Sequence, residues 1–176
     1  METNRLILRK FTLEQLHDLE KMDASAAAEF CGLESEDLVV NEISRLKYRL
    51  VECSDGFENW YVIEKESKRV IGDVGLHAWE KRHDKAEIGY LIHKDFQGKG
   101  YATEAAKKAI EYGFTEMNLN RIEAHAATDN VASHKVLQKL GFQYEGLRRE
   151  HYKLPTHYSD SNGYGLLLSD YKKMNQ

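Results

Sequence analysis

The segment from Glu87 to Gly113 restricts the fold more than any other part of this chain. Ala86, Ile88, Tyr90 and Ile92 alternate with Glu87, Gly89, Leu91 and His93, the two-residue period of a strand half buried in a sheet. The pattern breaks over Lys94, Asp95 and Phe96 and passes through Gln97-Gly98-Lys99-Gly100-Tyr101-Ala102. Ala102, Ala106, Ala109, Ile110, Gly113 and Met117 then repeat at helical spacing. A glycine-rich turn therefore joins the end of a strand to the start of a helix.

The first turn of a helix carries backbone N–H groups without intrahelical partners and the positive end of the helix dipole. A phosphate or pyrophosphate satisfies both. Gly98 and Gly100 let the backbone approach an anion closely, and Lys99 adds a cation. Two common phosphate loops are excluded by spacing. A P-loop lysine is followed by Ser or Thr, whereas Lys99 precedes Gly100; a dinucleotide fingerprint begun at Gly98 requires Gly or Ala where Thr103 stands.

A chain of 176 residues with 41% hydrophobic and 31% charged residues is expected to form a single domain, 1–176, around one core. Its net charge of −4 and the lack of a long Lys/Arg cluster point away from nucleic acid and suit a cationic acceptor such as an amine. No apolar run approaches the ~20 residues needed to span a bilayer, and Glu2, Arg5 and Arg9 leave no secretory h-region. Cys31 and Cys53 are read as reduced thiols of a cytoplasmic protein. His77 and His83, or His151 and His157, stand at no recognisable zinc spacing, so no metal is expected.

Along the chain, residues 4–10 read as a strand, and Thr12 caps a helix carrying Leu13, Leu16, Leu19 and Met22. Ala24 to Gly32 reads as a small-residue loop. Ser35 caps a second helix with Val39, Ile43, Leu46 and Leu50 on its apolar face. Ser54-Asp55-Gly56 is a turn, and an antiparallel hairpin follows, with Trp60, Val62 and Ile63 on one strand and Val70 to Leu76 on the other. Glu80 to Lys85 is a charged turn. After the central helix come a strand at Arg121–Thr128, a short helix carrying Val136, Leu137 and Leu140 with Gly141 as its stop, a strand at Phe142–Tyr152, a turn at Pro155 and a last strand at Tyr164–Leu168. This is an α/β or α+β mixed sheet without repeats.

Gln97, Gly100 and Ala102 match the Gln/Arg-x-x-Gly-x-Gly/Ala signature of the GNAT acyltransferases, which the chain resembles from residue 3 to about 170. Thr3 to Arg9, Asn120 to Ala124 and Asn130 to Phe142 look like the Rim-type branch, which includes ribosomal-protein N-terminal acetyltransferases. The resemblance implies a mostly antiparallel central sheet splayed between its fourth and fifth strands, flanked by about four helices. It also implies acetyl-CoA as donor, bound in the cleft with its pyrophosphate on Gln97 to Ala102.

By the same resemblance Leu91, Ile92 and His93 lie along the pantetheine, and an N–H of Leu91 or Ile92 stabilises the oxyanion; one such donor is worth roughly 3–4 kcal/mol. The side chains of Leu91 and Ile92 are expected to be ordinary core. Asn130 and Ser133 match positions facing the pantetheine and the departing sulfur. Asn130 can pair with an amide through donor and acceptor, and Ser133 can hydrogen-bond the thiolate. An Asx turn and helix cap explains the same residues without a ligand. Many family members place a tyrosine acid where Leu137 stands, which shifts that role toward Ser133 and disfavours the polyamine acetyltransferases. Glu87 is the first candidate base, and Glu150 with His151 the second. A cross-strand ion pair for Glu87 and solvated strand positions for the other two are the structural alternatives.

Three functions follow. The first is acetylation of a protein N-terminal α-amine, the ribosomal-protein type, by direct attack in a ternary complex. The second is acetylation of a small amine: an aminoglycoside, amino acid or polyamine. The third is a non-catalytic acyl-CoA sensor. The acceptor pocket is expected between Phe30–Glu36 and Lys153–Asp160, with Phe30, Tyr152 and Tyr158 as lining or packing aromatics. Leu166-Leu167-Leu168 suits a buried strand or a dimer seam, and the chain a monomer or a homodimer.

Overall fold

The computed structural model describes residues 1–33, 35–47 and 57–175. Glu34, Leu50, Cys53 and the Ser54-Asp55-Gly56 turn lie outside the described residues. The strands are β1 (Leu6–Lys10), β2 (Glu58–Glu64), β3 (Val70–Glu80), β4 (Lys85–Ile92), β5 (Arg121–Ala127), β6 (Gln143–Lys153) and β7 (Tyr158–Leu167). They form one sheet in the order β1-β2-β3-β4-β5-β7-β6. Every neighbouring pair is antiparallel except β4 and β5. Those two pair only as Lys85↔Arg121, Ala86↔Ile122 and Glu87↔Glu123. Beyond Glu87 they part, and this fork is the splay expected between the fourth and fifth strands.

The helices are α1 (Leu13–Leu19), α2 (Ala24–Cys31), α3 (Val39–Lys47), α4 (Tyr101–Thr115), α5 (Val131–Lys139) and α6 (Leu168–Met174). Strands β2 and β3 are buried along most of their length because both faces are covered. On one face Leu8, Val62, Val74 and Ile88 join the α4 residues Ala105, Ala106, Ala109 and Ile110 in the main core. The short alanine side chains let α4 lie close to the sheet. On the other face Tyr61, Ile63 and Val70 pack with Leu16, Leu19, Ala27 and Leu46 of α1–α3.

Among the described residues six α-helices stand where about four were expected. The Ala24–Gly32 stretch is a helix, not a loop. Its alanines gave no broad apolar stripe, but the Asp23 side chain accepts from the Ala26 N–H at 2.9 Å and Gly32 closes it at φ 65°. Ser35 caps a 3-10 turn, Glu36–Leu38, that leads into α3. α1 ends at Leu19, short of Met22, which is exposed. β3 runs on to Glu80, narrowing the charged turn to Lys81–His83. β7 starts at Tyr158, six residues earlier than read, and Leu168 begins α6 rather than ending the strand. The outer part of the β6–β7 hairpin is exposed on both sides, so it showed no apolar alternation.

Two polar networks fix elements around the fork. Arg5 donates to Glu104 through Nε at 2.7 Å and to the Lys99 carbonyl through Nη1 at 3.0 Å, tying the N-terminal strand to the start of α4. Arg45 on α3 grips Glu42 and the buried Asp73 of β3, the latter at 2.7 Å.

Candidate active site

Where β4 and β5 part, a cleft of about 390 Å³ opens between the end of β4, the turn before α4 and the first turns of α4 and α5. Of the residues singled out in the sequence, Leu91, Ile92, Gln97, Gly98, Gly100, Tyr101 and Ala102 line it on one side, Asn130 and Ser133 on the other. His93 and Lys99 do not line it. Lys99 holds its Nζ over the Phe96 ring at 5.1 Å, and Phe96 is part of the wall. Leu91 departs from its expected place in the core: it is 50% exposed, whereas Ile92 is buried.

The turn has the geometry that an anion can use. Gly98 and Gly100 sit at φ 75° and 83°, left-handed values that cost other residues strain. Gly100 occupies the N-cap of α4, and no side chain caps that helix, leaving its first amides for a ligand. Gln97 Nε2 donates to the Ile92 carbonyl at 2.8 Å, holding the turn against the strand end. Lys135 and Lys139, one turn apart on α5, face the turn across the cleft. The sequence reading missed both, although their i, i+4 spacing on the helix that also carries Ser133 was the available signal. These groups fit the phosphates of a coenzyme.

Strand direction decides which amide is free. The His93 N–H donates to the Ile71 carbonyl of β3 at 2.8 Å. Backbone groups alternate along a strand, so the Leu91 amide also faces β3, its partner being Asp73. The amides of Tyr90 and Ile92 face the fork. Of the two oxyanion candidates, Ile92 is the one whose N–H the β3 ladder leaves open.

On α5, Asn130 Oδ1 accepts from the Ser133 N–H at 3.0 Å. This is the capping role weighed as its alternative, and it leaves Nδ2 for a ligand. Among the described residues the Ser133 hydroxyl makes no hydrogen bond. Leu137 is buried in the main core, so α5 offers no phenol there. Tyr90 lines the cleft instead, with its hydroxyl donating to the Ser133 carbonyl at 3.4 Å and its pKa pushed up to about 12 by burial. The Tyr101 hydroxyl is spent on Glu64.

A second group of side chains meets at the base of the fork. Glu87 places Oε1 3.4 Å from Nε2 of His77 and Oε2 3.6 Å from Nε2 of His125. Burial raises the Glu87 pKa, but the His77 contact and the charges of His77, His125 and His151 outweigh it, and the net shift is downward. Burial, opposed by Glu87, lowers the pKa of His125. A cross-strand ion pair for Glu87 is the alternative the sequence offers without naming a partner; the structure supplies His77 on β3 and adds His125. Only the register of β5 reveals it.

Strand β6 slips against β7 between Arg148 and Tyr152, a bulge in which Glu150 takes φ 50° and its N–H donates to Asp160 Oδ1 at 2.7 Å. The bulge separates the two second-choice bases. His151 sits with its ring 5.0 Å from His125 and Nδ1 2.7 Å from the Ser161 hydroxyl. The Glu150 carboxylate makes no hydrogen bond or ion pair among the described residues. Tyr152 stacks beside His151 at 4.6 Å, while Phe30 packs on Tyr61 under Arg9 and Tyr158 is exposed.

Cys31 is buried against Tyr61, away from the cleft, and burial pushes its pKa up to about 11, which makes it a poor nucleophile. No group of His, Cys, Asp and Glu able to hold a metal ion occurs among the described residues. Nor is any of the helices described long and apolar enough to cross a membrane.

Residues 5–143 match the family model of the acetyltransferase (GNAT) domain. The chain is 36% identical over 174 residues to the uncharacterised N-acetyltransferase YoaA of Bacillus subtilis, covering 95% of this chain and 96% of that one. It is 39% identical over 103 residues to YdaF of the same organism, provisionally named a ribosomal N-acetyltransferase, covering 58% and 56%. A solved structure of Vibrio cholerae spermidine N-acetyltransferase with CoA and spermine superimposes with a TM-score of 0.71 at 25% identity, covering 97% of this chain and 99% of that one.

Proposed function

The chain belongs to the GNAT acetyltransferases and is an acetyl-CoA-dependent N-acetyltransferase, and from that premise we propose that residues 1–176 act as one domain that acetylates the α-amine of a protein N-terminus, as the Rim-type branch does. The observation that carries this reading is Glu87, held ionised between His77 and His125 at the base of the fork. A carboxylate with a lowered pKa is a weak base. It suits an α-amine, whose pKa of about 7.7–8.0 leaves roughly a tenth of it neutral near pH 7, better than an alkylamine at about 10.4, of which less than about a thousandth is neutral. The resemblance to YdaF supports the same acceptor.

Bound acetyl-CoA supplies an activated acetyl thioester. The turn from Gln97 to Ala102, with Lys135 and Lys139 opposite, holds its phosphates, and Asn130 Nδ2 pairs with the pantetheine. Glu87 takes a proton from the amine, directly or through a water, as the nitrogen attacks the acetyl carbon. The Ile92 N–H receives the oxyanion charge. Ser133 hydrogen-bonds the sulfur as the carbon–sulfur bond breaks and the electron pair leaves on the thiolate. No acyl-enzyme forms, and Cys31 takes no part.

A second reading, a polyamine acceptor, is favoured by the likeness to the spermidine enzyme solved with spermine. A coenzyme-release assay on two panels, peptides of varied N-terminus and small amines, separates the two. Turnover of peptides that N-terminal blocking abolishes is the expected result. Turnover of spermidine alone would move the acceptor to the second reading, and acetyl-CoA binding without turnover on either panel would leave only a sensor.

A further inference from the structure

Directly opposed residues on paired strands share a face of the sheet, and the register follows one such face across the fork. His77 stands opposite Glu87, and Glu87 opposite Glu123. His125, two residues along, stands opposite Gly163; Ser161, two residues further along β7, stands opposite Arg148 of β6. Arg148 thus lies on the same face as the Glu87 cluster. It runs over Gly163: a Cβ on that glycine would stand 3.5 Å from Arg148 Nε. Its charge reaches the cluster, opposing protonation of His125 and favouring ionisation of Tyr152.

Of the carboxylates near it, all but Glu150 are already committed. Arg121 holds Glu123 and Glu145, each at 2.8 Å. Glu87 is held by His77 and His125, and Asp160 accepts from the Glu150 amide. The Arg148 guanidinium makes no hydrogen bond or ion pair among the described residues. The face at Glu87 therefore presents an ionised carboxylate and, beside it, a guanidinium with no counterion among the described residues. An arginine in that state is suited to a carboxylate, which it grips through two parallel hydrogen bonds.

We infer that Arg148 receives an anionic group carried by the acceptor, so that the preferred substrate is an α-amine followed closely by a carboxylate, such as a peptide N-terminus whose second residue is acidic. The inference rests on the proposed placement of the acceptor at Glu87 and deepens it. The same guanidinium repels a polycation, which sets this site against polyamines.

The test compares peptides beginning Ser-Glu and Ser-Lys, free glutamate and spermidine as acceptors, with the unaltered chain, Arg148→Gln and Arg148→Glu, all measured by coenzyme release with saturating acetyl-CoA. The unaltered chain is expected to favour Ser-Glu over Ser-Lys at least ten-fold in kcat/KM, mainly through KM. Arg148→Gln should erase that preference and Arg148→Glu reverse it, while the KM for acetyl-CoA stays within two-fold. Equal use of both peptides, a proportional loss on both in Arg148→Glu, or turnover of no acidic acceptor overturns the inference. Acetylation of free glutamate but of neither peptide would remove the protein N-terminus as acceptor and leave the role of Arg148 standing. Equal use of both peptides would do the opposite.

Discussion

Glu87 shows how much one side chain owes to its neighbours. Alone on a strand it is a carboxylate like any other. Here burial, which would protonate it, is outweighed by His77 and by the charges of His125 and His151, so it stays ionised through the range in which an amine loses its proton. Activity must then rise with pH as the amine deprotonates, and no carboxylate limb should appear above pH ~4.5. With a peptide acceptor the kcat/KM profile is expected to show one limb near the α-amine pKa of about 7.7–8.0; with an alkylamine acceptor the limb moves toward about 10.4. Glu87→Gln is expected to lower kcat by about 10²-fold or more with little change in the KM for acetyl-CoA. An unchanged kcat would pass the base role to His151, the nearest remaining candidate.

At the scale of elements, the cleft has two walls of different origin. One is the strand–turn–helix unit of β4 and α4, continuous in sequence from Lys85 to Thr115. The other is α5, which reaches the cleft because β5 leaves β4 after Glu123. The division assigns charge to both walls: free amides on the first, Lys135 and Lys139 on the second. Replacing both lysines by alanine should raise the KM for acetyl-CoA several-fold and weaken its dependence on salt, with kcat nearly unchanged, as steady-state kinetics at two ionic strengths would show. A fall in kcat at constant KM would mean that α5 orients the thioester rather than holding phosphate.

The whole molecule is a seven-stranded sheet covered on both faces at its centre and open at one internal seam. A ligand lodged in that seam contacts elements from both halves, so acetyl-CoA should stabilise the fold as a unit. At a concentration of 100 times its Kd the gain is about 2.7 kcal/mol, which for a chain of this length raises Tm by about 5–10 °C; a thermal melt without such a shift would show that the coenzyme binds elsewhere or not at all. The sequence by itself determined the strand–turn–helix unit, because strand period, paired glycines and helical period are local patterns that need no partner to be read. The same locality made the N-cap at Asn130 and the hairpin of β2 and β3 legible. It failed at α2, where short alanines carry a helix whose buried stripe is too weak to announce itself. It failed again at the bulge of β6, which alone decides that His151 and not Glu150 meets the cluster. Only the tertiary structure could bring His77, Glu87, His125 and Arg148 to one face, since they lie on four strands and their meeting depends on register, which no single segment encodes. It also left the Ile92 amide open while turning that of Leu91 toward β3, because a backbone N–H is free or spent according to the strand beside it.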